Sequence, residues 1–232
     1  MSESDAVAVV TGANRGIGLE VCRQLAGIGF VVVLGSRDLA KGTAAARSID
    51  GANVAACELD VSDDQSVVAA ATWVTACFGR CDALINNAAI DYDTWERAES
   101  ADLELVHDAM ETNLFGAWRV TLAFLPLLRA STHGRIVNVS SEGGSLASMG
   151  AGLPAYHTTK AALNALTRTL AAELGSANIL VNAICPGWTA TDMGGPGGRP
   201  VADGAASVLW GVTLPDHGPT GGFFRDGQPL PW

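Results

Sequence analysis

An apolar run, Ala6 to Val10, leads directly into Thr11-Gly12-Ala13-Asn14-Arg15-Gly16-Ile17-Gly18, and a helical pattern opens near Gly16. A strand, a glycine turn and a helix N-terminus in that order restrict what the chain can become. The first N–H groups of a helix have no internal partner, and the helix dipole adds positive potential there, so such a turn suits an anion. Glycine lets the backbone approach a pyrophosphate with no Cβ in between. The spacing is G-x-x-x-G-x-G, not the G-x-G-x-x-G of the usual dinucleotide fingerprint. Alone, it is also consistent with a tight turn that holds no ligand.

The rest of the chain narrows the choice. Apolar runs at Phe30–Leu34, Val54–Leu59, Ala83–Ile85, Arg135–Val139, Ile179–Ile184 and Gly222–Arg225 alternate with helical patterns near 16–28, 39–49, 63–78, 101–130, 154–175 and 201–211. Continuous apolar strands between helices mark a parallel sheet covered on both faces. The expectation is an α/β fold: a single Rossmann-type doubly wound parallel sheet of about seven strands flanked by helices. No repeat, low-complexity tract or linker interrupts it, so residues 1–232 read as one domain.

Composition removes several function classes. A net charge of −10 argues against nucleic acid or an acidic membrane surface as partner. No stretch reaches the roughly 18 uninterrupted apolar residues of a membrane span. Met1-Ser2-Glu3-Ser4-Asp5 is acidic and short, unlike a signal peptide. Cys77 and Cys81 lie four apart, yet no second Cys or His pair completes a zinc site, so no metal is expected. Reduced cysteines and no targeting segment point to the cytoplasm.

Ligands of open parallel sheets bind beyond the C-terminal ends of the strands. The second strand is followed by Ser36-Arg37-Asp38, with no carboxylate at its end. A guanidinium at Arg37, joined by Arg15 from the glycine turn, suits the extra phosphate of NADP; the plainer role of Arg37 is a solvated turn residue. Asp38 fits the N-cap of the next helix, its carboxylate turned from the phosphate. Asp60 after the third strand can accept from an adenine amino group or, with Ser62, cap the following helix, and the two roles are compatible. Asn86-Asn87-Ala88-Ala89 after the fourth strand offers amides to tie neighbouring strands and small side chains against which a flat ligand can lie; an Asn-rich turn is the alternative.

Asn113 and Gly116 interrupt the long helical segment, because Asn competes for backbone hydrogen bonds and glycine weakens the turn. A kink that frees a carbonyl and a plain core hydrogen bond are both compatible with that. Tyr156 and Lys160 are four apart, which sets them on one helix face. A free phenol ionises near pH ~10 and is a poor acid–base group at neutrality. An ammonium beside it favours the phenolate and lowers that value. A serine from Ser140-Ser141, opposite, can hold a carbonyl or alcohol oxygen for proton exchange.

Together these residues resemble the short-chain dehydrogenase/reductase family, over nearly the whole length from Val7 to Phe223. The motifs are the Thr11–Gly18 turn, Asn86-Asn87-Ala88, Asn113, Ser141, Tyr156-x-x-x-Lys160 and Pro186-Gly187. The Thr11–Gly18 variant with Ser36-Arg37-Asp38 and Cys185-Pro186-Gly187-Trp188 is most similar to the NADPH-dependent carbonyl reductase branch. The resemblance implies Tyr156 as general acid/base, Lys160 lowering its pKa and holding the nicotinamide ribose, Ser141 positioning the substrate oxygen and Asn113 holding a relay water. It implies a cofactor site from Gly12, Asn14, Arg15, Gly16, Ile17, Gly18, Arg37, Asp60, Val61, Asn87, Ala88 and Ala89, with Tyr156, Lys160, Pro186, Gly187, Thr189 and Thr191 at the nicotinamide end. The implied activity is hydride transfer between NADP(H) and a carbonyl or secondary alcohol, in the direction of ketone or aldehyde reduction. The alternatives are alcohol oxidation by the same residues, or a non-catalytic NADP-binding regulatory protein of the same fold.

The chain departs from the family pattern in three places. Ala89 stands where glycine is usual. The interval from Ser141 to Tyr156 is two residues longer than usual, so Ser140 stays open as the alternative serine. Gly194-Gly195-Pro196-Gly197-Gly198 reads as a mobile strip rather than a helical lid. Trp95, Met149, Leu153, Trp188 and Met193 are the candidate substrate walls, apolar and suited to a small molecule with an aromatic or alkyl body. His157 reads as structural. Helices 101–130 and 154–175 carry apolar residues on more than one face, Leu163, Leu166 and Leu170 among them, which points to a homodimer or homotetramer.

Overall fold

The computed structural model describes residues 6–49, 53–90 and 93–232; the acidic stretch Met1–Asp5 lies outside them. The glycine turn links β1 (Val7–Val10) to α1 (Gly16–Gly27). Then follow β2 (Val31–Ser36), α2 (Leu39–Arg47), β3 (Val54–Glu58), α3 (Asp64–Phe78) and β4 (Ala83–Asn86). The second half holds α4 (Leu103–Met110), α5 (Ala117–Arg129), β5 (Arg135–Val139), α6 (Pro154–Leu174), β6 (Leu180–Ile184), α7 (Val201–Val212), β7 (Phe223–Arg225) and β8 (Gln228–Pro229).

The strands form one sheet in the order β3-β2-β1-β4-β5-β6-β7-β8, parallel except for the final antiparallel pair. The eighth strand is a correction to the expected seven. Asp226 and Gly227 both adopt positive φ between β7 and β8, and a two-residue turn of that kind folds the chain back on itself. Every residue of β1, β4, β5 and β6 is buried, which explains their predominantly apolar character. One core lies under α3, α5 and α6, centred on Phe124, Leu84 and Ile136. The other lies under α1 and α7, centred on Leu25, Ile85 and Ile184.

The strand order reverses between β1 and β4, which opens the crevice where such sheets bind ligands. Polar side chains pin that point. Asn86 Nδ2 donates to Asn138 Oδ1 at 2.8 Å and to Thr121 Oγ1 at 3.1 Å, tying β4 to β5 and α5. Asn87 Nδ2 donates to the Thr11 and Gly12 carbonyls at 2.9 and 3.1 Å, tying the end of β4 to the glycine turn. The approach is so close that a Cβ on Gly18 would lie 2.5 Å from Asn87 Nδ2. At Gly12, with φ +61°, it would lie 2.8 Å from Ala88 Cα.

The helical segment expected over 101–130 is divided. Between α4 and α5 the helix widens to π geometry over Glu111–Gly116, around Asn113. Leu163, Leu166 and Leu170 on α6 are all buried within the chain's own core. They therefore give no reason for a second copy, which corrects that part of the sequence argument. The exposed apolar stripe lies instead at Phe115, at the end of the π turn, and at Trp118 and Leu122 on α5. Among the described residues, no helix is long and apolar enough to cross a membrane, and no cluster of three or more His, Cys, Asp or Glu could hold a metal ion.

Candidate active site

A cavity of about 570 Å³ runs along the C-terminal edge of the sheet, from the turn after β2 to the first turns of α6. Its floor is the glycine turn, to which Asn14, Arg15, Gly16, Ile17 and Gly18 all contribute. Arg37, Asp60 and Val61 wall one end; Asn87, Ala88 and Ala89 line the middle. Tyr156, Lys160, Pro186 and Thr191 close the other end. Residues far apart in sequence thus meet because each follows, or faces, the end of a parallel strand.

At the β2 end the carboxylates of Asp38 and Asp60 line the cavity beside Arg37, and both are engaged in local hydrogen bonds. Asp38 caps α2, its Oδ1 accepting from Lys41 N at 3.0 Å, and that backbone hydrogen bond holds its carboxyl below the usual range. Ser36, buried, spends its hydroxyl on the Asp38 carbonyl at 2.9 Å. Arg37, Asp38 and Lys41 line the cavity there, and Arg15 lines it from the glycine turn. The Arg15 guanidinium meets Asp192 at 2.8 Å, an exposed pair that bridges the glycine turn to the segment after β6. Asp60 does not cap α3; Asp63 does, accepting from Gln65 N. Asp60 Oδ1 accepts from the Ser62 hydroxyl at 2.6 Å and from Ser62 N at 3.0 Å, and the hydroxyl contact is the main cause of its lowered pKa.

At the far end, α6 presents Tyr156 and Lys160 on one face, as their spacing requires. Lys160 is buried and its Nζ donates to the Val139 carbonyl at 2.8 Å. The Nζ lies 5.7 Å from the centroid of the Tyr156 ring. Burial lowers the ammonium pKa from 10.5 to about 8, so at neutral pH most of it remains charged. The two serines differ in their surroundings. Ser140 lines the cavity but is buried, its hydroxyl hydrogen committed to Asn164 Oδ1 at 2.6 Å. Ser141 lies outside the cavity wall and opens a short 3₁₀ turn, Glu142–Gly144, where its Oγ accepts from Gly143 N at 3.1 Å. His157 packs its ring beside Gly143, and burial lowers its pKa.

Other candidates stand behind the wall. Asn113 is buried. Its Oδ1 accepts from Ile90 N at 2.8 Å, and its Nδ2 donates to the Ile90 carbonyl and to Thr159 Oγ1 at 3.0 and 3.1 Å. Its neighbour Thr112 lines the cavity. Thr189 turns its hydroxyl onto the Gly187 carbonyl at 3.0 Å, and neither residue is a wall. Of the five apolar substrate candidates, Met193 lines the cavity, whereas Trp95, Met149, Leu153 and Trp188 do not. Trp95 is 71% exposed, and Leu153 is the positive-φ residue before α6. Trp188 donates its indole N–H to the Gly194 carbonyl at 2.8 Å and covers Gly197. Within the glycine-rich strip, Gly195 N also donates to the Thr191 carbonyl at 2.8 Å.

Sequence reading did not single out Lys41, Ile90, Thr112 or Asp192 as cavity walls. Lys41 was findable, since it lies one helical turn beyond Arg37. Ile90, Thr112 and Asp192 each adjoin an expected site residue, Ala89, Asn113 and Thr191, and that adjacency is the signal the sequence offers.

The cavity fits a nicotinamide dinucleotide. Its volume lies in the range of small-molecule sites, its glycine-turn floor offers backbone N–H groups, and cations gather at one end. Comparison with known proteins agrees in class. A family model for short chain dehydrogenases matches residues 6–199. The chain is 32% identical to salutaridine reductase of Papaver bracteatum, covering 94% of this chain and 93% of that protein. It is 32% identical to carbonyl reductase [NADPH] 1 of Bos taurus over the full length of both. Among solved structures it is similar to an NADPH-bound carbonyl reductase from chicken fatty liver, with TM-score 0.87 and 26% identity over 98% of this chain and 99% of that one. The chain belongs to the short-chain dehydrogenase/reductase family and carries its oxidoreductase fold. The alignment with the poppy enzyme runs to 294 positions, more than the 232 residues here, so that enzyme carries insertions which this chain lacks.

Proposed function

We propose that this protein reduces ketones or aldehydes with NADPH, Tyr156 acting as general acid. The observation that carries the reading is the pairing on α6: a cavity-lining phenol with a buried ammonium beside it, both facing the end of β5. A bound nicotinamide would supply the hydride for the carbonyl carbon. The protein's part is to bind, orient and move the proton. As the C–O π bond opens, charge grows on the substrate oxygen, and the Tyr156 O–H bond breaks to give that oxygen its proton. The Lys160 ammonium stabilises the phenolate left behind, and its bond to Val139 O fixes where that charge sits. Ser141 is the residue to orient the substrate oxygen. Ser140 is disfavoured because its hydrogen is already spent on Asn164.

Arg37, Lys41 and Arg15 would hold the phosphate that distinguishes NADP from NAD, in a site where the Asp38 carboxylate is engaged by the Lys41 backbone N–H. The same groups run in reverse would oxidise a secondary alcohol. We also infer self-association through the exposed stripe Phe115, Trp118 and Leu122, expected to give a dimer or tetramer in light scattering that Leu122→Glu disperses. The decisive experiment on activity follows NADPH oxidation with a panel of aromatic ketones and aldehydes. Tyr156→Phe should lose turnover, by about 10²–10⁴-fold, while NADPH still binds. Wild-type turnover in that variant would end the reading.

A further inference from the structure

We propose that Asp93 is a positioning residue for Tyr156: its carboxylate ties the backbone of the acid–base residue to the segment that follows β4. This rests on the reading of Tyr156 as the proton donor and deepens it.

The first turn of α6 lacks a cap of its own. Leu153, at the N-cap position, has φ +54° and contributes no side-chain hydrogen bond, and Pro154 has no N–H to give. The N–H groups of Ala155 and Tyr156, at the start of the helix, have no intrahelical acceptor. Asp93 takes both. Its Oδ2 accepts from Ala155 N at 2.9 Å and its Oδ1 from Tyr156 N at 3.1 Å. The carboxylate is 2% exposed and lies at the positive end of the helix dipole, which favours its charge. An ordinary cap sits next to the turn it serves. Here it comes from more than sixty residues away in sequence.

The other backbone group of Tyr156 leads to the same segment. Its carbonyl accepts from Thr159 Oγ1 at 2.9 Å, that oxygen accepts from Asn113 Nδ2 at 3.1 Å, and Asn113 grips both the N–H and the C=O of Ile90. Ile90 is itself a cavity wall. The N–H of Tyr156 is thus referred to Asp93 and its C=O, through Thr159 and Asn113, to Ile90, which continues the wall begun by Asn87, Ala88 and Ala89. Loss of the Asp93 tie removes one of these two references, and small misplacements of a reacting group cost large factors in rate.

The test measures kcat, ketone KM, NADPH affinity by fluorescence and thermal midpoint in Asp93→Ala and Asp93→Asn. Turnover is expressed per NADPH-binding site, so that unfolded protein does not count. Asp93→Ala should lower kcat by about tenfold or more with NADPH affinity held within about threefold. Asp93→Asn keeps one acceptor and should recover part of the loss. A merely structural role predicts a lower thermal midpoint with kcat per site unchanged. A kcat within about twofold of wild type in Asp93→Ala, or in Asp93→Asn should the alanine variant not fold, overturns the inference. Tyr156→Phe run alongside separates the two claims: its wild-type turnover would remove the reading of the site, whereas its inactivity beside fully active Asp93 variants would remove only this inference.

Discussion

Lys160 reaches from the second turn of α6 to the carbonyl of Val139, 2.8 Å away at the end of β5, and buries its ammonium in doing so. A cation in that place is held against the preference of its surroundings for a neutral group, and burial brings its pKa from 10.5 to about 8.

That depression has a sign in stability. Between pH 8 and 10.5 the unfolded chain holds the lysine proton and the folded chain has released it, so this group's contribution to stability rises with pH across that window. Its penalty is complete below about pH 8 and gone above about 10.5; a shift of this size corresponds to about 3 kcal/mol. The buried thiols act in the opposite sense, since burial raises the pKa values of Cys57 and Cys185. The comparison with Lys160→Met isolates the lysine. Urea unfolding without NADPH at pH 7, 9 and 10.5 should show the stability difference moving toward wild type as pH rises. A difference that does not change with pH contradicts the depressed value.

The two adjacent serines should separate cleanly. Ser140→Ala leaves the buried Asn164 carbonyl oxygen without its donor and should cost about 1–3 kcal/mol of stability with kcat little changed. Ser141→Ala should lower kcat by about 10²-fold, the effect of removing one donor to a developing oxyanion, with the fold intact. Unfolding curves and steady-state rates on both variants decide the matter, and the reverse pattern would assign the substrate oxygen to Ser140.

Much of this was legible because it is periodic or punctual. Strand alternation with helices gave the sheet, and the order of glycine turn, Asn86-Asn87, Asn113, Tyr156 and Lys160 gave the family. The eighth strand was not, since Gln228 and Pro229 are exposed and too few to show a period. Asp60 was read as a possible cap because Asx turns and N-caps use the same residues, and only geometry shows Asp63 capping α3. Leu163, Leu166 and Leu170 looked surplus because the sequence does not reveal how far α6 sinks into the core. Asp93 gave no local sign at all; the only hint was a missing one, a helix that starts at Leu153-Pro154 with no polar cap.

Cofactor preference should reside in the turn after β2. Each charge-assisted hydrogen bond to a phosphate is worth about 1.5–3 kcal/mol, so Arg37→Ala should weaken NADPH binding by about 10–100-fold. NADH binding should hardly change. Lys41→Ala should act in the same direction and less strongly, because its ammonium is already drawn toward Asp38 at 3.5 Å. Titration of both cofactors by fluorescence provides the check. Equal losses for NADPH and NADH would move the phosphate away from this turn.

Arg15 gives the final test, because its guanidinium is already engaged. Asp192 holds it at 2.8 Å, with both side chains largely exposed. An exposed pair is worth at most about 1 kcal/mol, so NADPH can draw Arg15 from Asp192 at small cost. Asp192→Asn removes that competition and should tighten NADPH binding by up to about fivefold. The gain should shrink as salt screens both the pair and the phosphate. Arg15→Ala should do the opposite and weaken NADPH more than NADH. If Asp192→Asn leaves NADPH affinity unchanged at low salt while Arg15→Ala also has no effect, Arg15 does not reach the cofactor, and the phosphate is left to Arg37 and Lys41.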